Sequence, residues 1–116
     1  MSILHILKII AAIGTIITGL VSLFWPRAVF GFIGLTAPGP RGITEIRAVL
    51  GGVFIALGAA PFLLKLPEAY QVLGITYLVV AAIRAVSMFI DHSIVNSNLI
   101  SLAFEIVFGI LLVLPL

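Results

Sequence analysis

The chain contains no cysteine and few charged residues of either sign. Without cysteine there is no disulfide, no thiolate metal ligand and no redox-active thiol. Only 9% of the residues are charged, whereas about a quarter are charged in a typical soluble domain. A soluble fold would lack the polar side chains needed to cover its surface, so the composition excludes that class.

Clusters of basic residues are also absent from the sequence. The six lysine and arginine residues are dispersed along the chain, and the formal net charge is only +2. The sequence therefore shows no basic segment of the kind that binds nucleic acid or anionic lipid, and we expect no nucleic-acid partner. It also contains no phosphate-binding glycine loop and no zinc-protease pattern.

The two histidines are poorly placed for shared chemistry. His5 opens the first apolar stretch and His92 follows the third, so a membrane-spanning arrangement puts them on opposite surfaces. This separation excludes a metal ion or haem that both would bind within one chain. We expect no metal site, no cofactor and no catalytic residue belonging to a known motif.

Apolar residues fill the chain: 63% of it is hydrophobic and the mean hydropathy is +1.40. A helix crosses the hydrocarbon core of a membrane with about 20 mainly apolar residues. Four such lengths use up the chain, at about residues 3–24, 44–64, 69–90 and 97–114. Because the last loops are short, neighbouring helices should run antiparallel. The sequence predicts a single domain, residues 1–116, that is an all-α integral membrane four-helix antiparallel bundle.

The connection between the first two helices is longer than the other connections and contains both apolar and turn-forming residues. Trp25, Pro26 and Arg27 end the first helix with an interfacial aromatic, a helix breaker and a cation. The residues that follow are apolar and then rich in proline and glycine, which predicts an interfacial segment and a stiff turn. We expect Thr44 to cap the second helix and Pro61 to disturb its last turns.

Small residues recur along the second helix at intervals of four. They are Ala48, Gly52, Ala56 and Ala60. Small residues let membrane helices approach closely, so this stripe predicts tight packing inside the bundle or homodimerisation. Gly109 is the small residue on the inward face predicted for the fourth helix.

Five ionisable residues interrupt the apolar stretches near one end of the predicted bundle. They are Glu45, Arg47, Arg84, Asp91 and Glu105. A charge in hydrocarbon costs roughly 2.5 to 3.5 kcal/mol on insertion scales, so such residues normally face a partner, a cavity or water. Helical spacing puts Tyr77 on the same face of the third helix as Arg84 and Asp91. The six residues form the candidate binding site.

The depth of each charge follows from the helical rise. Arg84 lies roughly 10 Å, and Glu105 roughly 13 Å, from the same membrane surface, so the two residues should pair. We expect Glu45 to compete for Arg84, and Arg47 or Asp91 to complete the network. The inner set of four, which is electrically neutral, consists of Glu45, Glu105, Arg47 and Arg84. Three roles stay open: fixing helix register, binding a small amphipathic or anionic ligand, and acid–base or proton-relay chemistry.

The residues that point to a relationship are the segment 45–48, the glycines that follow it and the later charges. They are Glu45, Arg47, Gly52, Arg84, Asp91 and Glu105. In this pattern the chain resembles a family of small bacterial four-helix membrane proteins of unknown function, and more loosely the DoxX-like group. The resemblance implies a bundle in a bacterial cytoplasmic membrane, and the DoxX-like group implies an association with quinones or redox complexes.

Two hypotheses about function follow from the charged residues and the apolar spans. The first is a non-enzymatic multi-pass protein, either an accessory subunit of a larger membrane complex or a binder of a lipid-like or quinone-like molecule at the buried Arg/Glu cluster. The second is a membrane-embedded enzyme or proton-coupled carrier that uses Glu105 and Glu45. Expected partners are membrane lipid, a small hydrophobic ligand, a larger complex or a second copy. Loop charges are balanced between the two sides, so sidedness is undetermined.

Overall fold

The computed structural model describes residues 2–115, which form helices and no strand. Four helices are long and apolar enough to cross a membrane. They are α1 (Ile3–Phe24), α2 (Pro40–Leu64), α3 (Pro67–Ile90) and α4 (Asn96–Val113). The fold is therefore all-helical with four candidate spans, as the apolar stretches predict.

Prolines set the start of two spans. Pro40 opens α2 four residues before the predicted start, and Pro67 opens α3 two residues early. Proline is tolerated in a first helical turn because the N–H it lacks has no acceptor there. The prediction that Thr44 caps α2 is wrong, since Thr44 lies inside the helix and its Oγ1 donates to the Pro40 carbonyl at 3.1 Å.

The connection between α1 and α2 begins with two short helical turns. A 3₁₀ turn covers Pro26–Val29, and one α-helical turn covers Phe30–Ile33. Gly34 ends this turn with φ 72°, a left-handed conformation that glycine adopts without strain. Phe32 remains exposed on this segment, which agrees with the interfacial character expected of it.

A π-helical segment, Ile46–Gly51, lies within α2 and changes which face of that helix packs. A π-turn holds more residues than an α-turn, so the helix faces beyond it are rotated from the positions that regular spacing predicts. The small-residue stripe is accordingly not the packed face of α2. Ala48, Gly52 and Ala56 are exposed, and only Ala60 is half-buried.

Gly51 and Gly58 form the packed face of α2, against α1. A Cβ added at Gly58 would lie 2.8 Å from the carbonyl oxygen of Ala12, so the two backbones are nearly in contact. At the other end of the same interface, a Cβ at Gly19 would lie 2.7 Å from the carbonyl oxygen of Gly51. Residue numbers in these contacts rise along α1 as they fall along α2.

A second close pair consists of α3 and α4. A Cβ at Gly74 would lie 2.8 Å from the backbone nitrogen of Val113, and one at Gly109 would lie 2.6 Å from the Leu78 side chain. The numbers again run in opposite order along the two helices. Gly109, the small residue predicted on the inward face of the fourth helix, thus lies in a tight helix–helix contact. The two pairs meet each other through fewer contacts.

A cluster of buried apolar residues joins the first half of α1 to α3 and α4. It consists of Ala11, Ala12, Tyr70, Leu73 and Leu112. Large apolar side chains cover the outer faces of all four spans, an amount of exposure that a water-soluble monomer rarely shows. The longest dimension, 45 Å, matches a bilayer of about 40–45 Å with its headgroups. These features are those of a multi-pass membrane protein.

Candidate functional site

The Arg84–Glu105 ion pair joins α3 to α4. Arg84 Nε donates to Glu105 Oε1 and Arg84 Nη2 donates to Glu105 Oε2, each at 2.8 Å. This two-point contact uses the planar fork of the guanidinium, the strongest geometry that an arginine–carboxylate pair can form. Glu105 is buried and Arg84 half-buried. The pairing expected from helix depth is present.

Asn98 holds the remaining terminal nitrogen of the guanidinium. Arg84 Nη1 donates to Asn98 Oδ1 at 2.9 Å, and Asn98 Nδ2 donates to the carbonyl of Ser93 at 2.9 Å. All three side-chain nitrogens of Arg84 are therefore hydrogen-bonded. Among residues 2–115, no buried side-chain nitrogen or oxygen lacks a partner. The carboxylate is consequently fixed in one orientation by a cation that is itself held in place.

A hydroxyl pair joins α1 to α3 nearby. Thr15 Oγ1 lies 2.6 Å from the Tyr77 hydroxyl and donates to the Ala11 carbonyl at 2.8 Å. A threonine hydroxyl has one proton, so the Tyr77 hydroxyl must be the donor to Thr15. The ring of Tyr77 packs edge-on against Phe108, with centroids 5.7 Å apart. Tyr77 therefore lies between the hydroxyl pair and the aromatic side chains of α4.

Two hollows meet at Glu105. The smaller, about 50 Å³, is lined by Thr15, Phe54, Leu57, Leu73, Thr76, Tyr77, Val80 and Glu105. The larger, about 470 Å³, lies between α1 and α4. We call it the α1–α4 groove, lined by Gly14, Thr18, Phe32, Phe54, Tyr77, Ile100, Ser101, Phe104, Glu105 and Phe108. Glu105, Tyr77 and Phe54 line both.

The other predicted charges do not join this pair. Glu45 pairs with Arg41 at 2.5 Å on the protein surface, and Arg47 is exposed beside a different groove. Asp91 lines a polar groove with Arg84 but forms no ion pair within the described chain. The expected four-residue neutral network is therefore wrong. Because Arg41 lies one turn before Glu45 on the same helix, it is the nearer partner.

Lys8 is a buried charge that was not among the predicted site residues. It is 1% exposed, and its Nζ donates to the carbonyl of Leu112 at 3.3 Å and to that of Leu114. The last carbonyls of a helix have no partner within it, so a cation is well placed there. The signal available in the sequence was a lysine within an apolar helix, close enough to the chain start to pass for a loop charge.

A family model matches residues 3–116, which is nearly the whole chain, and carries the description Domain of unknown function (DUF4345). The chain belongs to the DUF4345 family. This membership confirms the expectation of a family without an assigned function. No curated protein and no solved structure matches this DUF4345 chain. The chemistry of the site must therefore be argued from its own residues.

The α1–α4 groove combines an aromatic wall with few polar groups. Phe54, Phe104 and Phe108 supply the wall, and Glu105 is the charged residue in the lining. Arg84 uses one lone pair of each Glu105 oxygen, and a carboxylate oxygen can accept more than one hydrogen bond. No group of three potential metal-binding side chains was found in the part of the chain that the structure describes. The groove is suited to an apolar body with one hydrogen-bond donor.

Proposed function

We propose that this DUF4345 protein is a non-enzymatic, multi-pass membrane protein that binds a small amphipathic molecule in the α1–α4 groove. Lipid-like and quinone-like molecules that carry a hydroxyl donor, such as a quinol, are the class we propose, and a bacterial cytoplasmic membrane is the setting that the resemblance implies. One observation carries the proposal: a carboxylate fixed by an arginine lies in the wall of an aromatic groove. The binding roles of Glu105 and Tyr77 are part of this proposal.

The size and lining of the groove support this class of ligand. Sites for small molecules commonly enclose about 300–1,000 Å³ and are mainly apolar with a few polar groups. The α1–α4 groove has about 470 Å³ and contains Glu105, Thr18 and Ser101 among aromatic side chains. Its walls come mainly from α1 and α4, one helix of each close pair, and Phe54 of α2 and Tyr77 of α3 complete them. An apolar molecule could enter from the lipid without crossing water.

The other hypotheses have less support. The acid–base hypothesis used Glu105 and Glu45 together, and these carboxylates belong to two separate ion pairs. The accessory-subunit hypothesis rests on exposed apolar faces, which lipid covers equally well. A role limited to helix register would not need Glu105 to line two hollows. Ligand binding is the hypothesis that uses the groove.

A glycine pair in the spans provides a direct test. A Cβ at Gly14 would meet only Phe108, at 4.0 Å, so Gly14→Leu should fill the groove without a backbone clash. A Cβ at Gly52 would meet nothing within 4 Å, and Gly52 lies outside the groove, so Gly52→Leu is the matched control. The probes are decyl-benzoquinol and dodecanol, each of which has an apolar chain and a hydroxyl that can donate to Glu105. Each is added to detergent-purified protein while the melting temperature is measured.

We expect at least one probe to raise the melting temperature of the wild type and of Gly52→Leu, and neither probe to raise that of Gly14→Leu. A probe shift that survives in Gly14→Leu would place binding elsewhere and contradict the proposal. Absence of any shift with both probes would exclude these two chemistries. Glu105→Gln then tests the polar end: the folded variant should show a smaller shift than the wild type.

A further inference from the structure

Two of the four arginines have no acidic partner in the described chain. Arg84 pairs with Glu105, and Arg41 pairs with Glu45. The remaining two, Arg27 and Arg47, line the same groove of about 480 Å³, which we call the arginine groove. They are twenty positions apart in sequence, so the scattered distribution of basic residues concealed this cluster. The fold places Arg27 and Arg47 beside the same groove although they are distant in the sequence.

The walls of the arginine groove are built from short, constrained backbone. Arg27 belongs to the 3₁₀ turn after α1, and Arg47 belongs to the π-helical segment of α2. Between them lie Pro38, Gly39 and Pro40, and each proline fixes its own φ. The remaining lining is Ala37, Ile43 and Thr44. None of these lining residues is acidic, so the groove carries two uncompensated positive charges.

The arginine groove lies at one end of the spans, where the connection after α1 meets the first turns of α2. Trp25 follows α1 two residues before Arg27 and is 63% exposed, and tryptophan is enriched at the headgroup level of membranes. The nearest abundant anion at that level is the phosphate of a lipid headgroup. Guanidinium groups match phosphate oxygens in both charge and geometry.

We propose that the arginine groove is a binding site for the phosphate of an anionic phospholipid headgroup. Arg27 and Arg47 hold the phosphate from two sides, while the acyl chains lie along the apolar faces of α1 and α2. This site is separate from the α1–α4 groove, shares no lining residue with it, and does not depend on the proposed function. Inorganic phosphate offers the same chemistry without acyl chains, so the test must separate the two sources.

The experiment measures binding of dioleoyl-phosphatidylglycerol to detergent-purified protein by native mass spectrometry. Dioleoyl-phosphatidylcholine and inorganic phosphate are the comparison probes. The variants are Arg27→Gln, Arg47→Gln and their combination. Arg41→Gln is the matched control, because it removes one positive charge at the same end but from a residue that pairs with Glu45 and does not line the groove.

We expect the anionic lipid to bind more tightly than the zwitterionic one. Each groove substitution should weaken phosphatidylglycerol binding on the order of fivefold, and the double substitution about 25-fold. Arg41→Gln should change it by less than about twofold, as expected for a paired surface charge. Unchanged melting temperatures without lipid would show that the variants are folded.

Three outcomes would overturn the proposal. Equal binding of the two lipids would remove the requirement for an anion. An equal loss in Arg41→Gln would show that net charge, not the groove, attracts lipid. Inorganic phosphate binding as tightly as phosphatidylglycerol would identify a site for free phosphate rather than for a headgroup.

Discussion

The Arg84–Glu105 pair allows a quantitative test of how the spans are held together. Glu105→Gln keeps one hydrogen-bond acceptor for the guanidinium but removes the charge that neutralises it. Arg84→Gln leaves the carboxylate without a cation. Removing one partner of a fully buried pair costs about 3–5 kcal/mol. The side chain of Arg84 is 30% exposed and that of Glu105 11%, so we expect less, about 2 kcal/mol for each single variant.

The double variant decides whether the two effects arise from one interaction. With both residues changed to glutamine, two neutral amides face each other and no unpaired charge remains. We expect a loss of about 1.5 kcal/mol, which is less than the sum of the single losses and gives a coupling energy of about 2.5 kcal/mol. Unfolding free energy would be measured by titrating sodium dodecyl sulfate into mixed micelles and following helicity.

The chain contains its own control for this cycle. Arg41 and Glu45 form an exposed ion pair one helical turn apart, and such pairs contribute about 0.3–0.5 kcal/mol. The same cycle of glutamine variants there should give a coupling of that size. If Arg84 and Glu105 gave additive losses, within about 0.5 kcal/mol, their pairing would not be holding α3 to α4 and the reasoning would fail.

Three further predictions concern helix contacts and sidedness. Lys8→Met should lower the unfolding free energy by about 1–3 kcal/mol, measured in the same micelles, because buried carbonyls lose their donor. Gly58→Val should cost about 1–3 kcal/mol and Gly52→Val almost nothing, since only the first added side chain meets a neighbouring backbone. Because Lys8 is buried, most of the cations that remain exposed lie at the Arg27 end of the molecule, and the positive-inside rule predicts that this end is cytoplasmic. A cysteine replacing Gly39 should therefore be labelled only from the cytoplasmic side of the membrane.

The four spans could be predicted because the signal for a span is simply length and hydropathy. α1 has the predicted bounds, and the other spans differ by four residues at most. The larger differences fall at Pro40 and Pro67, which the predicted starts at 44 and 69 leave in the connections before the helices. Proline is unfavourable only where its missing N–H would have been bonded, and both prolines lie in a first turn.

Helix faces were predicted where the backbone is regular and not where it is irregular. Arg84 and Glu105 lie on uninterrupted α-helices, so spacing and rise gave both their faces and their depths. Glu45 and the stripe beginning at Ala48 lie next to or within the π-helical segment, where the angle per residue differs. No pattern in the sequence marks that segment.

Contacts between segments far apart in the sequence could not be predicted, for a different reason. Arg27 and Arg47 come together only because the loop between them folds back on itself, and Lys8 reaches carbonyls more than a hundred positions away. Neither arrangement leaves a periodic trace. Charged residues are few in this chain, however, so each one can be checked in the structure for a partner. That check reveals both the arginine groove and the Lys8 contacts.

The ion pair and the buried lysine together explain why a groove exists between α1 and α4. Lys8 on α1 holds α4 at its last turn, and Arg84 on α3 holds α4 through Glu105, near the middle of the helix. Between these two attachments, Gly14 of α1 faces Phe108 of α4 and leaves space, since even a Cβ added at Gly14 would lie 4.0 Å from the Phe108 ring. Neither attachment joins α1 to α4 at the level of the groove, because Lys8 binds α4 beyond it and Arg84 belongs to α3. α4 is therefore positioned without closing the gap to α1. The same charges that orient the spans therefore leave an aromatic surface available to a molecule from the lipid.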